Sequence, residues 1–558
     1  MADRIGVYVC ECGPNIAGSI DIDKVLNAVS PINDVVVAER YKLLCSGEGK
    51  EFLKEEIKKH KLTHLVIAAC SPRQHETTFM EVCEDAGLNP YLFQLVNIRE
   101  QCAWITEDKE EATEKAIRYV KAAINRVRYH TSLEKREIEC NPNVLVIGGG
   151  IAGMKASLLL ASEDRKVYLV EKNSSIGGAV VNFEKVFPSM KPSSSITQEL
   201  IQEVLKNDNI EVFTNSEVEK VLGFFGNFVA EVKNREEDRK YELRVGAIVV
   251  ATGFSLFDPK EIPQYGYGKF DDVYTALEFE KMNTSGKILL KDGKPPESVA
   301  IIHCVGRKEK GYCSRICCLY SLKFSRYLKA KIPNARIFHF YSDLCIPGKV
   351  YQKFYEETEG IELIRRKEIE VTKEGKSIVI KYKTETDKEE SLPVDMVILA
   401  PAMQPSPDSS KIAEMLKISQ DDNGFFSEEH EKLAPVSTSI EGVFIAGCAQ
   451  GPKNIPDSIV QSEAAAGKIL SSLIPGRKLE LEARTSQISE ALCIGCQTCL
   501  SVCSYSAISF DERRRVSVVN EILCRGCGNC AAACPSGAAT LKHFTPKQIY
   551  HELMGVLR

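Results

Sequence analysis

Short apolar runs bounded by turn formers set the outline of the chain. Residues 5–9 predict a strand, 54–61 a charged helix, and 65–69 a second strand that ends at Cys70. Residues 110–129 place apolar positions at a helical period and predict a long amphipathic helix. After Pro142 a fresh apolar strand, 143–147, marks a boundary. From there to about residue 485 strands alternate with helices, the order of a doubly wound α/β sheet. The segment 228–244 runs through as strand with a charged hairpin at 234–241. A polar hinge at 480–487 then leads into a short cysteine-rich module. The resulting division is an N-terminal α/β domain at 1–139, a nucleotide domain at 140–285 and 440–485, a second dinucleotide-like domain at 286–439, a small module at 486–545 and a C-terminal tail at 546–558.

Bulk properties narrow the function classes. A length of 558 residues allows three or four domains. A net charge of −5 is too mild to call for nucleic acid. No apolar run reaches the length of a membrane span, so direct insertion is not expected. The first residues lack a basic segment followed by a long apolar one, so no secretory signal is expected. The 21 cysteines sit in a long chain, many at ligand spacings, which fits a reducing, cytoplasmic compartment.

Eight of those cysteines carry the clearest chemistry. Cys493, Cys496, Cys499 and Cys503 repeat the register of Cys524, Cys527, Cys530 and Cys534. This is the bacterial ferredoxin spacing, in which three thiolates at every third position hold one 4Fe–4S cluster and the fourth reaches the other. The first cluster is thus assigned Cys493, Cys496, Cys499 and Cys534, and the second Cys524, Cys527, Cys530 and Cys503.

A nucleotide site follows the strand at 143–147. Gly148, Gly150, Ile151, Ala152 and Gly153 form a G-x-G-x-x-G turn between that strand and a helix at 154–162. A further strand at 167–170 ends at Glu171, placed to accept hydrogen bonds from ribose hydroxyls. The strand ending at Ala251, Thr252 and Gly253 favours FAD over NAD. So does the strand at 442–447, which ends in Gly447 before a helix whose N-terminus would face the flavin. This resembles thioredoxin-reductase-like flavoproteins, with one departure: Cys448 stands where that class has Asp. The second dinucleotide-like domain lacks G-x-G-x-x-G after residues 299–303, so NAD(P)H binding there is not expected. Cys313, Cys317 and Cys318 have C-x₃-C-C spacing, not C-x-x-C, and read as buried structural cysteines, with a cluster or redox role as the alternative; Cys83 and Cys102 read as structural.

Together these stretches resemble the A-type subunit of heterodisulfide reductase. They are RIGVYVCECGPNIAG (4–18), VIAACSPRQHETTF (66–79), GLNPYLFQLVNIRE (87–100), VIGGGIAGMKA (146–156), VEKNSSIGG (170–178), CVGRKEKGYCSRICC (304–318), GVFIAGCAQGPKNIPDSI (442–459) and the paired cluster motifs. The resemblance implies an FAD contacted also by Lys172, Gly177, Gly178 and Ile455, with Lys453 as a cation that tunes the flavin. It also implies a third 4Fe–4S cluster on Cys10, Cys12, Cys45 and Cys70. Two-electron flavin transfers would be split into single electrons, with flavin-based bifurcation in an anaerobic setting as the finer expectation. Implied partners are B- and C-type iron–sulfur subunits, an electron-donor subunit and soluble ferredoxin, in a multi-subunit and dimeric assembly. The chain departs from the family's longest members. It lacks their inserted ferredoxin module and the Cys-x-x-Cys stretch, where it has residues 187–196 with no cysteine. A quinone-linked electron-transfer subunit and a non-catalytic relay are the alternatives.

Overall fold

The computed structural model describes residues 3–375 and 377–557. The chain folds as two compact units: the first 138 residues with the segment from Glu480 onward, and Glu139–Leu479.

In the first unit four parallel strands stand in the order Val35–Tyr41, Ile5–Cys10, His64–Ala69, Phe93–Asn97. Ile5–Cys10 and His64–Ala69 are buried at every position, as expected of inner strands of a parallel sheet covered on both faces. The helix predicted at 54–61 starts earlier, as Gly47–His60, because Ser46 caps it by accepting from the Gly49 amide. Lys109–Val127 is the long helix, capped by Asp108.

Two expectations are corrected here. Residues 546–558 are not a loose tail: Pro546–Leu557 is a helix laid on Lys109–Val127. Gly555 sits over Ala122 with no room for a Cβ, so the two backbones approach closely. Arg126 adds an ion pair to Glu552 at 2.7 Å and a hydrogen bond to the His543 carbonyl at 2.9 Å. Nor is 480–487 a free hinge. Arg484 pairs with Glu76 at 2.9 Å and with Glu482 at 3.1 Å, and Thr485 and Ser486 are buried. The N-terminal layer and the cysteine-rich module therefore form one body instead of two domains.

The second unit holds two parallel layers. One has the strand order Ile210–Phe213, Val167–Val170, Val144–Ile147, Ala247–Val250, Val443–Ile445. The other has Val273–Thr275, Met396–Pro401, Ser298–Val305, Arg336–Tyr341, Ile361–Arg365. Each is accompanied by a three-stranded antiparallel sheet, and the first of these contains the charged hairpin between Asn227–Asn234 and Lys240–Val245. A buried ion pair, Lys323 to Glu280 at 2.6 Å, braces the unit. Lys323 also donates to the Lys185 carbonyl, and Glu280 accepts from the Glu184 amide at 2.8 Å. Among the described residues no helix is long and apolar enough to cross a membrane.

Candidate functional site

The glycine turn is shaped by contacts that admit no side chain. A Cβ on Gly153 would overlap the Gly148 carbonyl, and one on Gly148, at φ 109°, would run into the Ala251 carbonyl group. Gly150 differs: the only atom a Cβ there would meet is the Gly178 Cα at 3.8 Å. Gly150 is also the N-cap of the helix Ile151–Leu160 and offers no side chain, so the first amides of that helix are left for an anion such as a pyrophosphate. Gly177 and Gly178 close the far side of the turn at positive φ.

Two predicted contacts are already engaged. Glu171 is only 6% exposed; Oε2 accepts from the Gly149 amide at 2.8 Å, and Oε1 accepts from the Asn173 amide at 2.9 Å and the Asn173 side chain at 2.6 Å. It braces the turn, and a ribose hydroxyl could use only its remaining lone pairs. Lys172, expected to contact the FAD, forms an ion pair with Asp408 at 2.6 Å.

Where the ring of a flavin is expected, two helix N-termini converge. Gly447, at φ 69°, lies against Ala152 at the start of Ile151–Leu160, and also near Ser458 of Ile455–Ser472. Asn454 caps the second helix by accepting from the Asp457 amide at 2.7 Å, and Ile455 is its first residue. Thr252 Oγ1, next to Gly253, is buried and has no hydrogen-bond partner among the described residues. An orphaned buried hydroxyl beside the glycine turn suits a polar ligand. Burial pushes the Lys453 ammonium below its ordinary range. Cys448 is pushed up by burial and donates to the Lys453 carbonyl at 3.5 Å, so it brings a thiol and no carboxylate.

In the C-terminal module one small cavity is lined by Cys493, Cys496, Cys499 and Cys534, the set assigned to the first cluster. Cys530, Cys524 and Cys527 neighbour one another, and Cys503 packs in the apolar cluster that contains Cys530. Amides point at the sulfurs: Ser486 to Cys524 at 3.3 Å, Ala507 to Cys503 at 3.3 Å, and Ala539 to Cys534 at 3.4 Å. Donors of this kind stabilise thiolate charge. Among the described residues no three His, Cys, Asp or Glu close around a single ion; a cubane instead takes its thiolates at separate corners.

The first unit brings its four cysteines together as well. Cys10 ends one inner strand and Cys70 follows the adjacent one, while Cys12 and Cys45 come from the loops beyond. Cys10 neighbours Cys12 and Cys45, and Cys70 neighbours both of these. Burial pushes Cys70 up to about 11, and Arg99, which donates to Cys12 Sγ at 3.6 Å, opposes that rise. Cys83 and Cys102 are fully buried among apolar side chains.

A further thiol group was not legible from spacing. Cys304, near the end of Ser298–Val305, meets Cys317 and Cys318 at the start of the helix Cys317–Lys331. The Cys317 thiol lies beside both and offers its proton to them, which holds Cys304 and Cys318 below the ordinary thiol range, while Cys317 itself is pushed up. Cys313 and Cys345 neighbour each other, and the Cys345 amide donates to Cys318 Sγ at 3.4 Å. Five thiols thus form one nest, where the C-x₃-C-C spacing favoured structural cysteines over a cluster or redox role. The missed signal was Cys304 at a strand end, thirteen positions before a Cys-Cys pair. Arg315, in the same loop as Cys313, forms an ion pair at 3.8 Å with Asp457, in the first turn of the helix beside Lys453.

Residues 142–466 match the pyridine nucleotide-disulphide oxidoreductase family, and 492–538 match the 4Fe-4S dicluster domain. The second of two A-type iron-sulfur subunits of CoB–CoM heterodisulfide reductase in Methanopyrus kandleri is 36% identical over 648 residues, covering 100% of this chain and 99% of that protein. The A-type iron-sulfur subunit of the same reductase in Methanocaldococcus jannaschii is 34% identical, at 100% and 99% coverage. The A-type subunit of the H(2):CoB-CoM heterodisulfide,ferredoxin reductase of Methanothermobacter thermautotrophicus is 35% identical, at 91% of each chain. A match over 648 positions to a chain of 558 means that the relative carries stretches absent here. Among solved structures, thioredoxin reductase of T. acidophilum is similar at 17% identity and a TM-score of 0.43, over 60% of this chain and 99% of that one. The fold is an α/β flavoprotein of the pyridine nucleotide-disulphide oxidoreductase type with a C-terminal 4Fe-4S dicluster domain, and its cofactors are FAD and 4Fe–4S clusters. With full-length relatives at this identity, the chain belongs to the family of A-type heterodisulfide reductase subunits, which are oxidoreductases.

Proposed function

We propose that this chain is the FAD and iron–sulfur subunit of a heterodisulfide-reductase-like complex, in which electron pairs taken at the flavin leave singly along 4Fe–4S clusters. Gly148, Gly150, Gly153, Gly177, Gly178 and the backbone at 251–253 would hold the FAD. The eight C-terminal cysteines would hold two clusters, the four N-terminal ones a third, and the nest around Cys317 a fourth. FAD exchanges electrons in pairs or singly, and each cluster exchanges one at a time. Lys453 keeps positive charge close to the pyrimidine end, and the dipole at the N-terminus of Ile455–Ser472 adds to it. The turn after Ser298–Val305 has no glycine fingerprint, so the electron pair is delivered by a partner subunit and not by NADH. B- and C-type iron–sulfur subunits and soluble ferredoxin are the proposed acceptors, with bifurcation as the finer reading.

One observation carries this proposal: the flavin end and the thiol nest are tied together by Arg315 and Asp457. The test is photoreduction of the anaerobic full chain, with flavin absorbance and low-temperature EPR followed in the same samples. The reading expects reduced-cluster signals to rise as the flavin bleaches, and NADH alone to bleach nothing. A bleached flavin with silent clusters overturns the transfer, and bleaching by NADH alone overturns the partner-fed donor.

A further inference from the structure

Five thiols meet where a cubane takes four. They are not equivalent. Cys304 is set by the register of a central strand, and Cys317 and Cys318 by the first turn of a helix; the last two are 4% and 1% exposed. Cys313 and Cys345 both lie on loops and are half-buried. The Cys313 loop turns through Gly311 at φ 78° and Arg315 at φ 61°, and the Cys345 loop ends at Gly348 at φ 86°. The two side chains neighbour each other, and the Arg315 amide donates to Cys313 Sγ at 3.4 Å. The Cys345 backbone touches Cys318, through its amide at 3.4 Å, and its side chain packs with Leu344 against Cys317 and Cys318.

We infer that Cys313 and Cys345 are interchangeable ligands for one iron of the cluster held by Cys304, Cys317 and Cys318. The inference rests on the reading of the nest as a cluster site. The exchange balances without an external reagent. One iron–sulfur bond forms to Cys345 as the bond to Cys313 breaks, and the proton of the entering thiol passes to the neighbouring leaving thiolate. No electron is gained or lost. The exchange has a consequence for the flavin, because Cys313 shares its loop with Arg315, whose ion pair reaches Asp457 beside Lys453. Cys313 bound holds that loop against the flavin helix, and Cys345 bound releases it.

The test uses the full chain, purified without oxygen, as wild type, Cys313→Ala, Cys345→Ala, the double variant and Cys317→Ala. Iron per chain, FAD per chain and the EPR spectrum of the reduced protein are measured for each. Unchanged FAD shows that the surrounding layer is folded. The inference expects each single loop variant to keep the wild-type iron, with altered EPR g values in Cys313→Ala. It expects the double variant and Cys317→Ala each to lose about four irons. Loss of the same iron in Cys313→Ala alone overturns it, because Cys345 then cannot replace Cys313. Full iron in the double variant overturns it too, since neither thiol is then a ligand. Full iron in Cys317→Ala instead removes the cluster from the nest, and the underlying reading falls with the inference.

Discussion

In one layer of the second unit, strand Val144–Ile147 runs through Gly148 directly into the helix Ile151–Leu160. In the other, strand Ser298–Val305 runs through Gly306 into a four-residue helix, Arg307–Lys310, and a loop before Cys317–Lys331. Both turns sit at the C-terminal ends of inner parallel strands, where open α/β sheets take their ligands. The first leaves helix amides uncapped and suits an anion. The second fills the corresponding place with sulfur: Cys304 at the strand end, Cys317 and Cys318 at the helix start, and Cys345 past the neighbouring strand Arg336–Tyr341, the station that Glu171 holds in the first layer. The sheet supplies the location, and a handful of side chains decide whether it presents helix amides or thiols.

The comparison is broken most severely at the brace within the unit. Lys323→Met leaves Glu280 buried without its partner, and denaturant unfolding is expected to show a loss of about 3–5 kcal/mol. Replacing both residues with Met should recover most of it, because no lone charge remains.

Paired glycine substitutions sharpen the comparison. Gly150→Ala meets nothing closer than 3.8 Å in the protein, so its thermal midpoint should hold. FAD affinity should fall on the order of 10–100-fold, or about 1.4–2.7 kcal/mol, because the new methyl faces the pyrophosphate. Gly306→Ala should do the reverse. Its φ of 81° and the Phe257 ring 2.7 Å from the added Cβ cost about 1–3 kcal/mol of stability while FAD affinity holds.

The smallest effect is electrostatic. Lys453→Met should lower the flavin potential by roughly 20–40 mV, the equivalent of about 1–2 kcal/mol from one nearby cation. Burial sets the folded pKa of Lys453 below its free value of 10.5. Its charge is complete below the folded pKa and fades as pH rises through it, so the gap between variant and wild type should close before pH 10.5. Redox titration at several pH values checks both size and sign.

What could be read from the chain follows the distance between cooperating residues. The ferredoxin ligands fall within two short loops, so Cys493 through Cys503 and Cys524 through Cys534 declare themselves by spacing. The glycine turn does so because Gly148 to Gly153 are contiguous and flanked by strand and helix. Cys318 and Cys345 are 27 positions apart, and the parallel pairing of Ser298–Val305 with Arg336–Tyr341 brings the helix start and the loop past the second strand together. The same holds for the C-terminal helix, whose place depends on Gly555 meeting Ala122 across most of the chain. Glu171 was found by position, but its bonds to Gly149 and Asn173 arise from the folded turn.

Iron, sulfide and flavin counted per chain in full-length protein purified without oxygen address the sulfur-filled turn most directly. The account predicts one FAD with about sixteen iron and sixteen sulfide, four clusters in all; about twelve of each or fewer, with FAD present, contradicts it.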